Sequence, residues 1–340
     1  MPELTVKELA EQLRQGNRRA LAKAITLVES TLGEHRARAV ELLNLLMPYT
    51  GNSIRLGISG VPGVGKSTFI EAFGNYIIER HHKVAVLAVD PTSTISGGSI
   101  LGDKTRMETL ARNPNAFIRP SPAGRTLGGV TRRTRETLLL CEAAGFDVVL
   151  VETVGVGQSE TAVAEMTDMF MLLLLPGGGD ELQGIKRGIM ELADLILVNK
   201  ADGDAVNIAK RTVTDYTMAL HFLHGRSKTW SPKVCALSAR EERGIDQVWQ
   251  TVEEFRSKLS ATGELENRRS SQAKAWMWTE TADILLNDLR NNEAVKQLAP
   301  RLEAEVMEGS LAPTVAAEKL VVALRRQKRA AKKPSKEKPS

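Results

Sequence analysis

Hydrophobic and polar residues follow two different patterns along this chain. In the first fifty residues, leucine, isoleucine and alanine recur at helical spacing, which predicts helices at 4–13, 18–29 and 34–46. From residue 54 the pattern changes to short runs rich in valine, isoleucine and leucine, which are typical of buried strands. We predict strands at 54–59, 83–89, 146–152, 169–175, 195–199 and 233–237.

Helical segments separate most of these strands, and they are predicted at 66–80, 132–144, 205–224 and 245–259. Buried strands that alternate with helices indicate an α/β fold, a three-layer sandwich with a mainly parallel central sheet. After residue 261 the strand pattern ends, and helices are predicted at 271–290, 294–308 and 313–329. The expected domains are an N-terminal helical extension (1–50), an α/β domain (51–260), a C-terminal helical region (261–324) and a basic tail (325–340).

Length and composition exclude several classes of protein. The 340 residues are 42% hydrophobic and 26% charged, as in ordinary folded soluble domains. The longest apolar run, 169–175, has seven residues, whereas a membrane-spanning helix needs about 20, so we expect no membrane partner. The N-terminus does not resemble a secretory signal, and two distant cysteines favour reduced thiols in the cytoplasm.

The net charge of +5 belongs to one end of the chain. The segment 325–340 has eight basic residues and one acidic residue, so its charge of +7 leaves −2 for everything before it. A Lys/Pro/Ser tail of this kind is usually solvated and disordered, although it could touch RNA or acidic lipid. The rest of the chain has no basic pattern, so nucleic acid is not an expected partner.

A glycine-rich segment follows the first predicted strand. It reads G-V-P-G-V-G-K-S-T and fits the phosphate-binding pattern G-x-x-x-x-G-K-[ST] between a strand and a helix. Glycines let backbone N–H groups converge on phosphate oxygens, Lys66 can reach the β- and γ-phosphates, and Ser67 can place its hydroxyl on Mg²⁺. The candidate nucleotide-binding residues of this loop are Gly60, Pro62, Gly63, Val64, Gly65, Lys66, Ser67 and Thr68.

A second motif, Asn199-Lys200-Ala201-Asp202, follows the strand predicted at 195–199 and predicts which base is bound. Guanine presents two N–H donors on one edge, which the carboxylate of Asp202 can accept, whereas adenine presents an acceptor there. The aliphatic stem of Lys200 can cover the ring. Ser238-Ala239, after the last strand, resembles the loop whose backbone amide meets guanine O6. Together these features favour GTP over ATP.

Three acidic residues are candidates for handling Mg²⁺ and the attacking water. Asp90 and Glu152 each follow a buried strand, where ligands of open α/β folds bind, and Asp103 lies in a glycine-rich loop. Mg²⁺ uses one or two carboxylates together with phosphates and water, so the sequence leaves open which of the three contact it. With Ser67 they form the candidate metal set, and with Lys66 the candidate catalytic set.

The order of these motifs resembles the MeaB/ArgK family of P-loop GTPases, called MMAA in animals. The resemblance rests on G-V-P-G-V-G-K-S-T, D-P-T-S, G-G-S-I-L-G-D-K-T-R-M, V-E-T-V-G-V-G-Q-S-E, G-G-G-D-E-L-Q-G-I-K-R-G and V-N-K-A-D, and it runs from about residue 4 to residue 324. Where Ras-like proteins have the aspartate of a D-x-x-G switch, this chain has Glu152, which is this family's form.

The resemblance implies a function and partners. Members of the family act as chaperones of adenosylcobalamin-dependent acyl-CoA mutases, chiefly methylmalonyl-CoA mutase. They form homodimers through their C-terminal helices, bind GTP or GDP with Mg²⁺, and gate the delivery of intact cofactor. The implied switch and coupling residues are Gly155, Gln158, Asp180, Gln183 and Lys186.

An arginine finger is not evident in the sequence. Arg106 is a candidate, and Gln158 is a candidate for orienting water, so slow hydrolysis that a partner accelerates is expected. Two other functions stay open: a small-molecule or protein kinase of the ArgK type, and a GTP-dependent metallochaperone. The sequence does not identify the mutase, which could be methylmalonyl-CoA mutase, isobutyryl-CoA mutase or another relative.

Overall fold

The computed structural model describes residues 4–30, 32–89, 107–120, 127–153, 159–177, 187–222 and 226–331. The chain divides into two compact units, Met1–Gln272 and Ala273–Ser340. The division after Gln272 falls inside a long helix, and the domain limits predicted after residues 50, 260 and 324 stay predictions. None of the described helices is long and apolar enough to cross a membrane.

A seven-stranded sheet forms the centre of the first unit. Its strands are β1 (Ile54–Gly60), β2 (Val84–Val89), β3 (Ala116–Arg119), β4 (Val148–Thr153), β5 (Met169–Leu174), β6 (Leu195–Val198) and β7 (Lys233–Ala236). They lie in the order β3-β2-β4-β1-β5-β6-β7, and all neighbouring strands are parallel. The predicted α/β fold with a parallel sheet is confirmed, and the six predicted strands agree with the structure within two residues at each end.

The sequence analysis missed β3. This strand has four residues at the edge of the sheet, and only Ala116 among them is fully buried. Its apolar run is therefore too short to stand out in the sequence. The strand forms because its backbone pairs with β2, from Val84 opposite Ala116 to Leu87 opposite Arg119.

Helices surround this sheet and also form the second unit. They are α1 (Val6–Arg14), α2 (Arg18–Glu29), α3 (Gly33–Leu46), α4 (Lys66–Ile78), α5 (Glu108–Arg112), α6 (Leu127–Ala143), α7 (Ser159–Ala164), α8 (Arg187–Leu192), α9 (Val206–Leu220), α10 (Ile245–Ala261), α11 (Glu264–Asn291), α12 (Glu293–Met307) and α13 (Pro313–Ala331). Short 3₁₀ turns occupy Met47–Tyr49 and Gly203–Ala205.

The strands alternate their side chains between two hydrophobic layers. On β1, Ile54, Leu56 and Ile58 pack with α4 and α10. On β5, Phe170 and Leu172 point the other way and share a layer with the N-terminal helices α1 to α3 and with α6. Because both layers consist of buried apolar side chains, the central strands are apolar on both faces, which explains their continuous hydrophobic runs.

Each predicted N-terminal helix is present, and the sequence contains the signals that start the first two. Thr5 and Glu8 form a reciprocal capping box at the beginning of α1. The side chain of Asn17 accepts hydrogen bonds from the backbone amides of Arg19 and Ala20 at the beginning of α2. The helices bury Leu13, Leu21, Ile25 and Leu42 completely.

Three aspartates accept backbone hydrogen bonds at the beginnings of strands, as the capping residues do at the beginnings of α1 and α2. Asp147, Asp168 and Asp194 stand immediately before β4, β5 and β6. Each carboxylate accepts a backbone N–H near the beginning of the neighbouring strand: Lys83 at 2.7 Å, Arg55 at 2.8 Å and Phe170 at 2.9 Å, respectively. At this edge of the sheet, side chains therefore continue the hydrogen bonding of the strands.

Buried ion pairs connect the start of α11 to two of these aspartates. Arg269 makes a bidentate bond to Asp168, with Nε to Oδ1 at 2.7 Å and a terminal nitrogen to Oδ2 at 2.6 Å. Arg268 lies 3.3 Å from Asp194. Burial raises the pKa of Asp194, against the opposing charges of Arg268 and Arg226. The helix α11 begins at Glu264, seven residues before its predicted start at 271. Ion pairs of Arg268 and Arg269 stabilise its first turns, and such contacts leave no hydrophobic periodicity in the sequence.

The second unit contains α12 and α13, which pack on each other, and the part of α11 from Ala273 onward. Val295, Leu302 and Ala316 are its buried apolar residues. Many of its large apolar side chains are exposed: Met277, Trp278, Ile284, Leu285, Leu286, Met307, Val315, Val321 and Val322.

We expect that the Asp168→Ala variant is destabilised by about 3–5 kcal/mol, because the change leaves the guanidinium of Arg269 without its carboxylate. Urea denaturation of the whole chain measures this loss. The matched control is Glu254→Ala, which removes the half-exposed contact to Lys233 and should cost no more than about 1 kcal/mol. Equal losses in the two variants would contradict the assignment.

Candidate nucleotide-binding site

The candidate site lies at the carboxyl edge of the sheet. The glycine-rich loop joins β1 to α4, and Asn199 directly follows β6. Ser238 follows β7 at a distance of two residues. Because all these strands are parallel, the loops that follow them meet at one edge, where open α/β folds bind their ligands.

Positive φ angles shape the glycine-rich loop. Gly60, Gly63 and Gly65 have φ values of 154°, 79° and 94°. At Gly65 a Cβ atom would stand 2.7 Å from Nδ2 of Asn199, and at Gly60 it would stand 2.6 Å from the carbonyl oxygen of Leu173. At these two positions a side chain is excluded by both backbone conformation and space.

Lys66 begins α4 and turns back over the loop. Its Nζ donates to the carbonyl oxygen of Gly60 at 2.8 Å and to that of Val61 at 3.4 Å. Val64 is fully buried and fixes the middle of the loop, while Pro62 and Gly63 are exposed. Ser67 and Thr68 lie in the first turn of α4, half-buried and exposed, respectively. The loop thus combines an ammonium group with the positive end of a helix, a suitable arrangement for phosphate.

Glu152 is the one candidate metal carboxylate among the described residues. Its backbone lies opposite Ile58 in the ladder between β4 and β1, and it is 6% exposed. Side chains alternate along a strand, so Glu152 faces the same side as Leu150 and therefore the side of α4. A buried carboxylate and the Ser67 hydroxyl, both oxygen donors near a phosphate loop, fit the ligand preference of Mg²⁺.

Several predicted residues lie outside the described ranges. They are Asp90, Asp103, Arg106, Gly155, Gln158, Asp180, Gln183 and Lys186. In the part of the chain that the structure does describe, no group of three histidine, cysteine or acidic side chains is arranged to hold a metal ion.

Asn199 connects two loops of the site. Its carboxamide is buried, donating from Nδ2 to the carbonyl oxygen of Val64 at 2.9 Å and accepting the backbone N–H of Ala239 at 3.0 Å. The phosphate loop and the Ser238-Ala239 loop are therefore held at a fixed separation by one side chain. The sequence predicted that Asn199 belongs to the base-reading motif but contained no signal for this connection.

Asp202 and Ser238, from the two predicted base-reading segments, are in direct contact. The Ser238 hydroxyl donates to Oδ2 of Asp202 at 2.5 Å. The backbone N–H of Ala201 donates to the carbonyl oxygen of Leu237 at 3.0 Å, which joins the same two segments. Lys200 between them is exposed and has a φ of 60°. The structure thus brings together all described residues of the predicted base-reading site.

Thr212 contacts the beginning of the loop after β5, and sequence analysis did not predict this contact. Its hydroxyl, on α9, accepts the backbone N–H of Gly177 at 3.0 Å. Gly177 begins the glycine-rich loop that follows β5, and it is the last residue described before 178–186. Nothing in the local sequence around Thr212 distinguishes it from other helical threonines.

Gly65→Ala is expected to weaken GDP binding by at least about tenfold, because alanine at a positive φ costs about 1–2 kcal/mol before the clash with Asn199 is added. Calorimetric titration with GDP measures the change. Gly51→Ala is the matched control, since Gly51 also has a positive φ, of 92°, but a Cβ atom placed there would have no other atom within 4 Å. Unaltered GDP binding by Gly65→Ala would contradict this account of the loop.

Comparison with known proteins agrees with this geometry. The family described as "Methylmalonyl Co-A mutase-associated GTPase MeaB" matches residues 21–294. GTPase ArgK of Escherichia coli is 51% identical, and the match covers 92% of this chain and 94% of that protein. The mouse methylmalonic aciduria type A homolog, a mitochondrial protein, is 48% identical over 94% of this chain and 80% of its own length.

A solved structure described as an LAO/AO transport system kinase is also similar. It is 43% identical, covers 96% of this chain and 99% of its own, and superposes with a TM-score of 0.74. The family match spans most of the chain, and the relatives align over most of their lengths. This chain therefore belongs to the MeaB family of P-loop GTPases.

Proposed function

We propose that this GTPase is a chaperone of an adenosylcobalamin-dependent acyl-CoA mutase, either methylmalonyl-CoA mutase or a close relative. Its nucleotide state would gate the loading of adenosylcobalamin and the removal of damaged cofactor. The observation that carries the proposal is the match to a family whose description names methylmalonyl-CoA mutase, over residues 21–294. The name of the mouse relative, a methylmalonic aciduria type A homolog, supports the same partner.

The proposed ligands are GTP or GDP with Mg²⁺. Backbone amides of the loop from Gly60 to Gly65 would hold phosphate oxygens, and Lys66 would neutralise the β- and γ-phosphates. Mg²⁺ would be held by Ser67 and Glu152, together with Asp90 or Asp103, and would neutralise charge that develops on the phosphates. Phosphoryl transfer needs positioning and charge neutralisation more than a strong base, which fits a site whose buried acid is fixed at a strand end.

Guanine would be read by Asp202. Its carboxylate would accept both N–H donors on the guanine edge, and the hydrogen bond from Ser238 at 2.5 Å supports a fixed orientation of that carboxylate. The backbone N–H of Ala239 donates to Asn199, which keeps the Ser238-Ala239 loop next to the same pocket. Lys200, which is exposed, has the length to cover the ring.

The Asp202→Asn variant is expected to bind GDP about 100-fold more weakly, because the amide nitrogen presents donors to the guanine donors. Xanthosine diphosphate should bind the variant better than GDP does, because xanthine carries a carbonyl oxygen in place of the 2-amino group. Calorimetry with GDP, ADP and xanthosine diphosphate measures these preferences. Full retention of guanine preference by the variant would exclude Asp202 as the reader.

Hydrolysis is expected to be slow in the isolated protein and faster with the mutase. Arg106 and Gln158 are the proposed candidates for stabilising charge and orienting water. The segment 177–188 is proposed as a coupling loop, with Asp180, Gln183 and Lys186 as its coupling residues and Gly155 in the other switch. The tether between Gly177 and Thr212 supports a fixed starting point for this loop on α9.

Purified methylmalonyl-CoA mutase should raise the GTP turnover of this protein by at least about tenfold, because a partner that orders the site adds transition-state contacts. The Lys186→Ala variant should keep its basal turnover but lose most of this stimulation. Lys210→Ala, at an exposed position of α9, is the control and should behave as the unaltered protein does. Identical single-turnover rates with and without any mutase of this class would defeat the chaperone proposal.

A homodimer is the proposed assembly. Met277 and Ile284 are seven residues apart on α11, as are Trp278 and Leu285, so each pair lies on one side of the helix. All four side chains are about half exposed. An apolar face of this kind is suited to a second copy of the chain.

The proposed location is the cytoplasm, which agrees with two free cysteines, Cys141 and Cys235.

A kinase is the second candidate function, because a solved relative at 43% identity is described as a transport system kinase. Transfer of the γ-phosphate of GTP to an acceptor other than water would favour it. The metallochaperone alternative would need tight, stoichiometric binding of Ni²⁺ or Zn²⁺, for which the described residues offer no cluster of ligands.

A further inference from the structure

Two buried hydroxyl groups meet directly beneath the phosphate loop. Thr153 Oγ1 donates a hydrogen bond to Ser59 Oγ at 2.9 Å. Thr153 is fully buried and Ser59 is 1% exposed. Ser59 is the residue before Gly60, where the phosphate loop begins, and Thr153 is the residue after Glu152. The pair therefore connects the two strand ends that carry the loop and the buried carboxylate.

This bond begins where the backbone ladder between the two strands ends. The register of β1 and β4 runs from Ile54 opposite Val148 to Ile58 opposite Glu152. The hydroxyl bond joins the next residue on each strand, so it adds one further connection toward the site. It lies on the opposite face of the sheet from the Glu152 side chain, because side chains alternate along a strand.

The two partners of the bond belong to different backbone ladders at this level of the sheet. Beyond Ile58, β1 continues to pair with β5, with Ser59 opposite Leu172 and Gly60 opposite Leu173. Thr153 is the last residue of β4, and its ladder contact at this point is with Val89 at the end of β2. The hydroxyl bond therefore ties the end of β4 directly to β1, beyond the last backbone pair between these two strands.

We propose that Thr153 is a positioning residue for GTP hydrolysis. Through its bond to Ser59 it holds the carboxyl end of β4 at one distance from the phosphate loop, and so it fixes the Glu152 carboxylate relative to Lys66 and Ser67. This inference rests on the proposed role of Glu152 in holding Mg²⁺. A displacement of about 1 Å at a catalytic group costs up to about 100-fold in rate, so one such bond is enough to matter.

The competing explanation is that the two hydroxyls only satisfy each other in a dry interior. In that case their loss would lower stability and nothing else. A positioning role has a different signature, because the chemical step depends on Glu152 whereas GDP binding depends on the loop and on Asp202. The maximal turnover should fall while GDP affinity is retained.

The test compares Thr153→Val, which keeps the β-branched shape, with Thr153→Ser, which keeps the hydroxyl. In Thr153→Val we expect kcat for GTP hydrolysis to fall about 5- to 20-fold, with the Kd for GDP changed by less than about twofold. Thr153→Ser should stay within about twofold of the unaltered protein. Ser59→Ala should repeat the loss, and the double variant Ser59→Ala with Thr153→Val should be no slower than either single variant, because both changes remove the same bond.

Thr251→Val is the matched control. The Thr251 hydroxyl is also buried and donates to the carbonyl oxygen of Gln247 at 2.8 Å, but it lies on α10, which carries none of the predicted site residues. This variant should lower the melting temperature as Thr153→Val does, without a change in kcat. An equal loss of kcat in Thr251→Val and Thr153→Val, or no loss in Thr153→Val, would overturn the positioning role.

Glu152→Gln separates this inference from the function on which it rests. If Glu152→Gln hydrolyses GTP at the normal rate, the proposed role of Glu152 is wrong, and the positioning role of Thr153 is wrong with it. If Glu152→Gln is slow and Thr153→Val is normal, the proposed role of Glu152 stands and the inference about Thr153 is overturned. Slow turnover in both, with rescue by Thr153→Ser, supports it.

Discussion

The buried carboxamide of Asn199 spans the two halves of the nucleotide site. It donates to the carbonyl oxygen of Val64 in the phosphate loop and accepts the amide of Ala239 in the loop after β7. These loops are far apart in the sequence, and the side chain adds a direct connection to the strand pairing that brings them to one edge of the sheet. A purine nucleotide has a fixed distance between its base and its phosphates, and a pocket that reads both ends needs the same constraint.

The neighbouring contacts follow from that constraint. A side chain at Gly65 would collide with the Asn199 amide, so the glycine is needed for the crosslink as well as for the phosphate. Ser238 reaches Asp202 because its loop is held in place through Ala239. The opposite edge of the sheet is organised by full charges instead, with Arg268 and Arg269 on Asp194 and Asp168. Arginine–aspartate ion pairs thus hold the edge of the sheet distant from the ligand. At the ligand edge, the phosphate loop and the loop after β7 are joined by the uncharged carboxamide of Asn199.

Sequence analysis predicted the parts of this molecule in which a short contiguous segment carries its own physical signal. The strands were predicted because both of their faces are buried, and the phosphate loop because each of its residues has a separate chemical reason. It missed β3, whose single fully buried residue leaves almost no pattern. It also missed the bond between Thr153 and Ser59 and the pair of Arg269 with Asp168, because such contacts join residues 94 and 101 positions apart and depend on the register of the sheet.

The aspartates that precede β4, β5 and β6 have a consequence for how the sheet assembles. Each one accepts an amide from a particular residue of the adjacent strand: Lys83, Arg55 or Phe170. If β5 or β6 slipped by one position during folding, the buried carboxylate of Asp168 or Asp194 would lose its backbone donor and face an apolar layer, which is far more costly than a mismatched pair of valines. Apolar strands of similar composition can pair in many wrong alignments, and the two buried acids favour the native alignment because only there does each meet its backbone donor.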